Sequence, residues 1–314
     1  MPFAVRPHFE WRLQRRTLSL GTRTLIMGIL NVTPDSFSDG GQFLSPGAGL
    51  GHGLEMLDQG ADILDLGGES TRPNSIAISP EEEQARVLPV LRAVLAARPE
   101  AVLSIDTYHA ETARVAIEAG AEIVNDVSGH LWDAAMSATC AALGCGAILM
   151  HTRGRPQQWR TLPPLATDEV LPLVLGDLRE RAQAALAAGV ARDSIALDPG
   201  FGFGKAFAEN YPLLAQFDAL HTLGFPLLAG VSRKSFLNRT ASARPARNPG
   251  APQPAPEKEP DAPYLASEMW ARELPTTVAN TAAILAGAHI VRVHDVLPAR
   301  QAAAIADRIL AAGE

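Results

Sequence analysis

VLSIDTYHAETARVAIEAGAEIVNDVSG, residues 102–129, contains two short apolar runs separated by an Ala- and Glu-rich segment with helical spacing. The runs 102–108 and 122–129 are expected to be strands, and residues 111–120 are expected to be a helix. Near-continuous apolar strands that alternate with amphipathic helices are typical of a parallel sheet whose outer face is covered by the helices. This stretch therefore predicts one strand-helix-strand unit of a parallel sheet.

The same alternation recurs along the chain and predicts eight strands. Helical segments such as 80–97 and 168–189 follow them. Eight such units favour a single α/β domain, a (β/α)₈ TIM barrel, over an open doubly wound sheet. The expected strands are TLIMGILNV (24–32), DILDLGGES (62–70), VLSIDTY (102–108), EIVNDVSG (122–129), AILMHT (147–152), SIALDPG (194–200), PLLAGVS (226–232) and IVRVHD (290–295).

Two further segments complete the expected organisation. FEWRL (9–13) and LSLG (18–21) predict an N-terminal β-hairpin that closes the bottom of the barrel. Residues 244–263 contain seven prolines and no apolar periodicity, so they cannot pack as helix or strand. We predict one domain over residues 1–314 with a disordered Pro-rich insertion at 240–264 after the seventh strand, and a tolerated surface linker is the favoured interpretation of that insertion.

Charge and composition exclude several functional classes. The 314 residues include 34 acidic and 27 basic side chains, a net charge of −7, which argues against broad nucleic-acid binding but allows a small anionic substrate. Cys140 and Cys145 lie in an apolar Ala- and Gly-rich stretch and are expected to be buried thiols. With no signal-peptide pattern and no apolar run of membrane-spanning length, the sequence predicts a cytoplasmic protein with neither a nucleic-acid nor a membrane partner.

Almost every expected strand ends in a polar or charged residue, and in this fold the carboxyl ends of the strands line the active site. Helix capping is an equally good explanation for Glu69 and Asp126. Capping does not explain why carboxylates, an amide and an ammonium converge on one mouth, where they would repel or desolvate one another without a ligand. The four groups in question are Asp106, Asn125, Asp198 and Lys234, and other strand-end residues are Asn31, Ser70, Thr71, Arg72, His151, Ser232, Arg233, Arg292 and His294.

These groups suit a flat heterocycle that carries ring nitrogens and an exocyclic amino group. Asp198 can accept two N–H bonds from an aminopyrimidine edge, and Asn125 can both donate and accept. Arg292 and His294 suit an oxyanion, and phosphate binding near the last strands is frequent in this fold. A salt bridge across the barrel rim is the weaker interpretation of Arg292, because His294 lies on the same side of the strand.

Two loops carry aromatic residues toward the expected site. The turn-rich loop at 31–43 has Phe37 at its centre, and we expect this ring to close over a substrate. In DPGFGFGK (198–205) the glycines predict a sharp bend that presents Phe201 and Phe203, since an isolated GxGxG is weak evidence for a phosphate cradle.

Seven motifs follow one another along the chain: GILNVTPDSFSDGG (28–41), GGESTRP (67–73), SIDTY (104–108), NDVSG (125–129), DPGFGFGK (198–205), SRKSF (232–236) and VRVHDV (291–296). Together they resemble the motifs of the dihydropteroate synthase family. The similarity runs from about residue 24 to residue 312 and implies a (β/α)₈ barrel, usually a homodimer. It also implies a Mg²⁺-dependent transferase of folate biosynthesis, the sulfonamide target, that joins 4-aminobenzoate to 7,8-dihydropterin-6-ylmethyl diphosphate and releases pyrophosphate.

The resemblance implies a role for each site residue. One set holds the pterin ring: Asp106, Asn125, Asp198 and Lys234, with Met150 as an apolar floor and Gly230 among the substrate-binding positions. Asn31 coordinates Mg²⁺ on the diphosphate, and Arg292 and His294 bind the diphosphate as it leaves. The 4-aminobenzoate site is formed by Phe37, Thr71, Arg72, Pro73, Phe203, Lys234 and Ser235.

The implied chemistry is a dissociative, SN1-like step. Once the diphosphate is neutralised, Asp106 stabilises the pterin-methyl cation, and Asp35 and Asp39 organise the first loop around the metal and the reacting carbon. The aniline nitrogen is neutral at pH 7, so catalysis comes mainly from positioning and charge stabilisation.

Two other functions stay open at this point. A corrinoid-dependent methyltetrahydrofolate methyltransferase has a similar pterin-binding barrel, but it holds no diphosphate, which disfavours it given SRKSF (232–236) and Arg292-x-His294. A pterin-binding paralogue without synthase activity is the other alternative. The chain departs from the family pattern in the insertion after Asn238 and in His-Thr-Arg-Gly at 151–154.

The chain contains only three lysines among its 27 basic residues, and this imbalance generates a test. Lys234 is the one expected at the site, where a compact ammonium bonds the pterin edge and leaves room for the second substrate. We predict that Lys234→Arg inactivates the enzyme although it keeps the charge. Steady-state turnover of the variant is the measurement, and near-normal turnover would contradict the assigned role.

Overall fold

The structure is a computed structural model that describes residues 6–33, 46–69, 77–242 and 266–313, with the side chains of residue 46 and residues 266–271 left out. Six predicted site residues lie outside the described residues, namely Asp35, Phe37, Asp39, Thr71, Arg72 and Pro73. Most of the Pro-rich insertion, residues 243–264, lies outside them as well, and residues 240–242 form the end of a helix. The predictions for a single domain and for a disordered insertion stay predictions.

The described residues form a hairpin followed by eight strands that alternate with helices. The strands are β1 (Phe9–Arg12), β2 (Thr17–Leu20), β3 (Leu25–Asn31), β4 (Ile63–Gly67), β5 (Val102–Asp106), β6 (Ile123–Asp126), β7 (Gly146–Met150), β8 (Ile195–Asp198), β9 (Leu228–Ala229) and β10 (Ile290–Val293). The helices are α1 (Pro46–Asp58), α2 (Pro80–Ala97), α3 (Ala110–Glu118), α4 (Met136–Leu143), α5 (Val170–Ala187), α6 (Asn210–Ala215), α7 (Ser235–Ser242), α8 (Ala266–Leu285) and α9 (Val296–Ala311).

Strands β3 to β10 form one parallel sheet in the order β8-β7-β6-β5-β4-β3-β10-β9. A parallel bridge between Leu197 and Leu227 joins β8 to the residue before β9, so the two edges of the sheet meet. The Leu197 N–H donates to the carbonyl of Pro226 at 2.9 Å. The predicted (β/α)₈ barrel is confirmed, and each barrel strand overlaps its predicted run, with β7 beginning one residue earlier, at Gly146.

Helix α2 shows why the helical segments begin where they do. The Glu82 N–H donates to the side chain of Ser79 at 3.3 Å, and Pro80 occupies the first turn, where its missing N–H has no cost. Glu81, Glu82 and Glu83 in the first turn complement the positive end of the helix dipole. The helix covers residues 80–97, as its spacing predicts.

The hairpin closes the bottom of the barrel, as predicted. Trp11 is fully buried, its indole N–H donates to the carbonyl of Ser194 at 2.9 Å, and Leu13 and Leu20 lie beside it. These three side chains pack against one apolar residue from each barrel strand: Met27, Ile63, Val102, Ile123, Ile148, Ala196, Leu228 and Ile290. These eight residues, which we call the lower layer, fill the base of the lumen.

Side chains alternate along a strand, so residues two positions after the lower layer also face the lumen. We call this second set, in which five of the eight residues have polar or charged side chains, the middle layer. Its members are Ile29, Asp65, Ser104, Asn125, Met150, Asp198, Gly230 and Arg292. The apolar lower layer and the hairpin beneath it therefore support a ring of polar groups at the carboxyl ends of the strands.

We predict that Trp11→Ala lowers the free energy of unfolding by about 3–5 kcal/mol, because it leaves a cavity in the plug and an unpaired carbonyl. Urea denaturation followed by far-UV circular dichroism measures the change. Arg12→Ala on the same strand is the matched control, since Arg12 pairs with Asp193 at an exposed site and should contribute less than about 1 kcal/mol. Equal losses of stability in the two variants would contradict the proposed role of Trp11 in packing against the lower layer.

Candidate active site

The mouth of the barrel brings the predicted strand-end residues together. Asp106 is paired in register with Asn125, and Met150 with Asp198, at the carboxyl ends of β5 to β8. A Cβ on Gly230 would lie 3.4 Å from Asp198 Oδ2, so the glycine leaves space beside that carboxylate. Met150 is 4% exposed, which fits an apolar floor and equally a core residue.

Arg292 lies between two carboxylates across the lumen. Its Nε donates to Asp65 Oδ2 at 2.6 Å, and its Nη2 donates to Asp106 Oδ2 at 2.5 Å. Asn125 Nδ2 donates to the same Asp65 oxygen at 2.9 Å. The salt bridge that the sequence made the weaker interpretation is thus present, and it orients the guanidinium at the mouth.

Burial shifts the pKa of three ionisable groups at this mouth toward their neutral forms. It raises the pKa of Asp106 to about 7, with Arg292 opposing the shift and Asp65 adding to it. It raises the pKa of Asp198 to about 6, although the hydrogen bond from the Gly200 N–H and the charge of Lys234 both lower this pKa. It lowers the pKa of Lys234 to about 8, with Asp198 opposing. A site that perturbs three groups in this way is typical of a binding pocket.

Lys234 approaches an aromatic face on the other side. Its Nζ lies 3.9 Å from the ring centroid of Phe203, a cation–π geometry. Trp159 meets the same ring edge-on with centroids 5.3 Å apart. Sequence reasoning missed Trp159, which lies beyond a short 3₁₀ turn in the loop that follows β7.

The glycine-rich loop after β8 bends as predicted, but it directs only one of its two rings to the site. Gly200, Gly202 and Gly204 all have positive φ, between 66° and 81°, which supplies the sharp bend. Phe203 reaches Lys234. Phe201 is fully buried and stacks between Phe217 and Phe236 in the core, so the prediction that it is presented to the site is wrong.

Lys205, at the end of this loop, is a second residue to which the sequence analysis assigns no role. Its Nζ donates to the carbonyls of Gly200 at 2.7 Å and Phe203 at 3.3 Å. Burial holds the pKa of this ammonium well below its usual value. Lys205 therefore fastens the bend that positions Phe203.

His294 and Ser235 stand at the end of the site formed by β9 and β10. His294 Nδ1 lies 2.9 Å from Ser232 Oγ, and the His294 backbone N–H donates to the same hydroxyl at 3.2 Å, which fixes the imidazole. Arg233 has a positive φ of 57° and pairs with Asp295 at 2.7 Å. Ser235 begins α7 directly after Lys234.

Two residues left open between capping and function have structural partners. Asp126 is fully buried and accepts the backbone N–H groups of Ser128 at 2.7 Å and His130 at 3.0 Å, a turn-stabilising role. Glu69 accepts the Tyr108 hydroxyl at 2.7 Å.

The top of β3 offers a side-chain oxygen that suits a hard cation. Asn31 Oδ1 lies 3.7 Å from the point where a Cβ on Gly67 would stand, as does Asp106 Oδ2, which already accepts Arg292 Nη2. Mg²⁺ prefers oxygen ligands and retains several waters. Asn31 therefore fits the metal that the resemblance implies, as one protein ligand.

Elsewhere in the described part of the chain, ligand atoms of Glu69, Glu83 and His109 lie within 4.8 Å of one another. Glu83 already accepts the Thr107 hydroxyl at 2.7 Å and contacts His109 Nδ1 at 3.1 Å, so we assign this group no metal. Among the helices of the described residues, none combines the length with the apolar character that a membrane-spanning segment requires.

Comparisons with known proteins agree with this geometry. The family profile described as pterin binding enzyme matches residues 27–294. Dihydropteroate synthase of Synechocystis sp. is 40% identical over 293 residues, which is 92% of this chain and 91% of the relative. The names of such relatives favour the synthase over the methyltransferase alternative.

Solved structures are similar along nearly the whole chain. Dihydropteroate synthase of Xanthomonas albilineans with 4-aminobenzoic acid has a TM-score of 0.81 at 36% identity and covers 98% of this chain and 99% of its own. The Yersinia pestis enzyme with a sulfonamide drug has a TM-score of 0.80 at 35% identity and covers 96% of this chain and 98% of its own. The chain therefore belongs to the dihydropteroate synthase family, transferases of folate biosynthesis.

Proposed function

We propose that the described mouth of the barrel joins 4-aminobenzoate to 7,8-dihydropterin-6-ylmethyl diphosphate and releases pyrophosphate. The observation that carries this proposal is the set of polar groups held over an apolar plug: two carboxylates, an amide and an ammonium at one end, and a paired arginine and a fixed histidine at the other. Asp106, Asn125, Asp198 and Lys234 form the first group, and Arg292 and His294 form the second.

The pterin ring lies against the first group. Asp198 accepts N–H bonds from the aminopyrimidine edge in its ionised form, and Lys234 supports that form by its charge. Gly230 supplies the space beside the carboxylate, and Met150 lies under the ring. Each interaction needs a planar ligand with several N–H groups, which a pterin provides.

The diphosphate lies toward β10. Arg292 and His294 donate to its oxygens and stabilise the negative charge that develops as the C–O bond breaks. Asn31 would hold Mg²⁺ here, and the bound metal supplies further neutralisation of the leaving diphosphate. Asp106 stabilises the pterin-methyl cation left behind.

The second substrate lies between the Phe203 face and the start of α7. Phe203 offers a flat apolar surface, and Lys234 and Ser235 supply donors for the carboxylate of 4-aminobenzoate. Phe37, Thr71, Arg72 and Pro73 complete this site in the proposal, as Asp35 and Asp39 do for the first loop, although all six lie outside the described residues. The aniline nitrogen attacks as the neutral amine and loses its proton afterwards.

We expect pyrophosphate release only when the pterin diphosphate, 4-aminobenzoate and Mg²⁺ are all present, and a coupled phosphate assay with and without EDTA measures it. Release that does not require 4-aminobenzoate would contradict the synthase reaction. Complete inactivity with all three present would favour the non-catalytic paralogue.

Arg292→Lys tests the leaving-group role. Arg292→Ala would leave Asp65 and Asp106 buried without a cation, whereas lysine retains a charge and loses the planar fork. We expect kcat to fall about 100-fold, as for loss of one donor to a developing oxyanion, with pteroic acid affinity within about threefold of the wild type. Calorimetric titration gives the affinity, and an equal loss of both properties would contradict the role.

We also propose a homodimer in which α8 and α9 form the interface. Both helices are rich in alanine, yet they carry exposed large apolar side chains: Leu274, Val278, Leu297, Ile305 and Ile309. Leu274 and Val278 are one helical turn apart, as are Ile305 and Ile309, so each pair forms a stripe. Apolar patches of this kind are typical of an interface between proteins. The cytoplasmic location stays a prediction.

Sedimentation velocity tests the dimer. We expect the wild type to sediment as a dimer and Ile305→Arg to shift it to the monomer, because a charge would be buried at the interface. Leu131→Arg is the matched control at an exposed leucine elsewhere on the surface and should leave the dimer intact. A monomeric wild type would contradict the proposal.

A further inference from the structure

Asp65 is a buried carboxylate in the middle of β4 to which neither the predicted site nor the proposed reaction assigns a role. It is fully buried, and its Oδ2 accepts Arg292 Nε at 2.6 Å and Asn125 Nδ2 at 2.9 Å. Those two partners come from β10 and β6, so one carboxylate oxygen joins three strands across the lumen. Its second oxygen, Oδ1, is buried without a hydrogen-bond partner in the described part of the chain.

We propose that Asp65 is a positioning residue that sets the orientation of Arg292 and Asn125 for the two ends of the pterin diphosphate. The inference rests on the proposed function, since it assumes that these two residues bind that substrate. It assigns no direct substrate contact to Asp65, which is fully buried.

The effect on Asn125 follows from donor and acceptor chemistry. An ionised carboxylate only accepts hydrogen bonds, so the Asn125 amide must direct its Nδ2 group toward Asp65. Its Oδ1 then lies on the other branch of the amide, where it can accept an N–H of the ligand. Without the carboxylate, the amide could turn and present a donor to a ring N–H, which would weaken pterin binding.

The effect on Arg292 follows from depth in the barrel. Asp65 is paired in register with Ser104, whereas Asp106 lies two residues further toward the mouth, opposite Gly67. Arg292 therefore has a deep anchor at Nε and an upper one at Nη2. When Asp106 turns to the pterin ring, Asp65 still holds the guanidinium in place, and a displacement of about 1 Å would cost on the order of 100-fold in rate.

The cost of burial supports a functional reason for Asp65. A fully buried carboxylate with one oxygen unpartnered is expensive, and apolar residues fill the corresponding place in the layer below. The neighbouring Ser104 Oγ is also buried without a partner among the described residues. A leucine at position 65 would avoid these costs but would leave both site residues without a common acceptor.

The test compares Asp65→Asn and Asp65→Glu with Glu122→Gln. Glu122 is a matched control, since it is also fully buried and pairs with arginines, Arg15 and Arg16, but at the bottom of the barrel. We expect Asp65→Asn to weaken pteroic acid binding about 10-fold, for one reversed hydrogen bond, and to lower kcat/KM for the pterin diphosphate about 100-fold. The KM for 4-aminobenzoate should stay within about twofold of the wild type.

Asp65→Glu keeps the charge and the acceptor but shifts them by one methylene. We expect it to retain pteroic acid affinity better than Asp65→Asn, while its kcat still falls because Arg292 is displaced. If Asp65→Asn does not fold, Asp65→Glu alone tests the inference. A lower kcat with retained pteroic acid affinity in Asp65→Glu then requires a positioning role for Asp65.

Pteroic acid titration separates this inference from the proposed function, because it needs no turnover. An inactive wild type that binds pteroic acid refutes the proposed reaction, and the Asp65 comparison then stands on binding alone. Wild-type affinity and kinetics in Asp65→Asn would overturn the inference, as would losses of the same size in Glu122→Gln or an equal rise in both KM values.

Discussion

The lumen of the barrel accepts only every second residue of each strand, and this periodicity places the whole site. One apolar residue per strand packs on the hairpin to form the lower layer, and the residue two positions later belongs to the middle layer, at the base of the mouth. Asn125 and Arg292 meet at Asp65 because all three residues belong to this layer, which also contains Asp198. A shift of one residue in a strand that carries one of these polar groups would turn that group toward the covering helices.

The charged side chains at the mouth of the barrel lie in the middle layer or next to it. Asp65, Asp106 and Asp198 provide three carboxylates, whereas Arg292 and Lys234 provide two cations, and all are largely removed from water. Arg292 pairs with two of the carboxylates at close range, while Asp198 accepts the Gly200 N–H at 2.7 Å, interacts with Lys234 by charge alone and keeps a raised pKa. The end of the site that contains Asp198 therefore gains the most binding free energy from a ligand with several N–H groups.

Much of this arrangement was predictable from the sequence, and the exceptions have physical reasons. Polar residues at strand ends mark a mouth, so Asp106, Asn125 and Asp198 are found without the structure. Asp65 lies inside an apolar run, and a strand pattern alone does not show which lumen residues meet across the barrel. Phe201 and Phe203 lie in a bend of left-handed glycines, where no periodicity fixes side-chain direction, and one of them turned out to be a core residue.

The scarcity of lysine acquires a structural reason at position 234. The Lys234 side chain passes close to Gly202, where a Cβ would lie 3.3 Å from its Cδ, and ends over the face of Phe203. This narrow path suits a flexible stem that ends in a compact ammonium. A guanidinium is planar and wider, so it would have to displace the ring of Phe203 or turn away from Asp198. Lys205, fastened to the carbonyls of Gly200 and Phe203, fixes the same bend from behind. Lys205 therefore fixes the loop that carries Phe203, and Lys234 contacts the Phe203 ring. In the proposed reaction, the positions of both substrates depend on the spacing between Lys234 and Phe203.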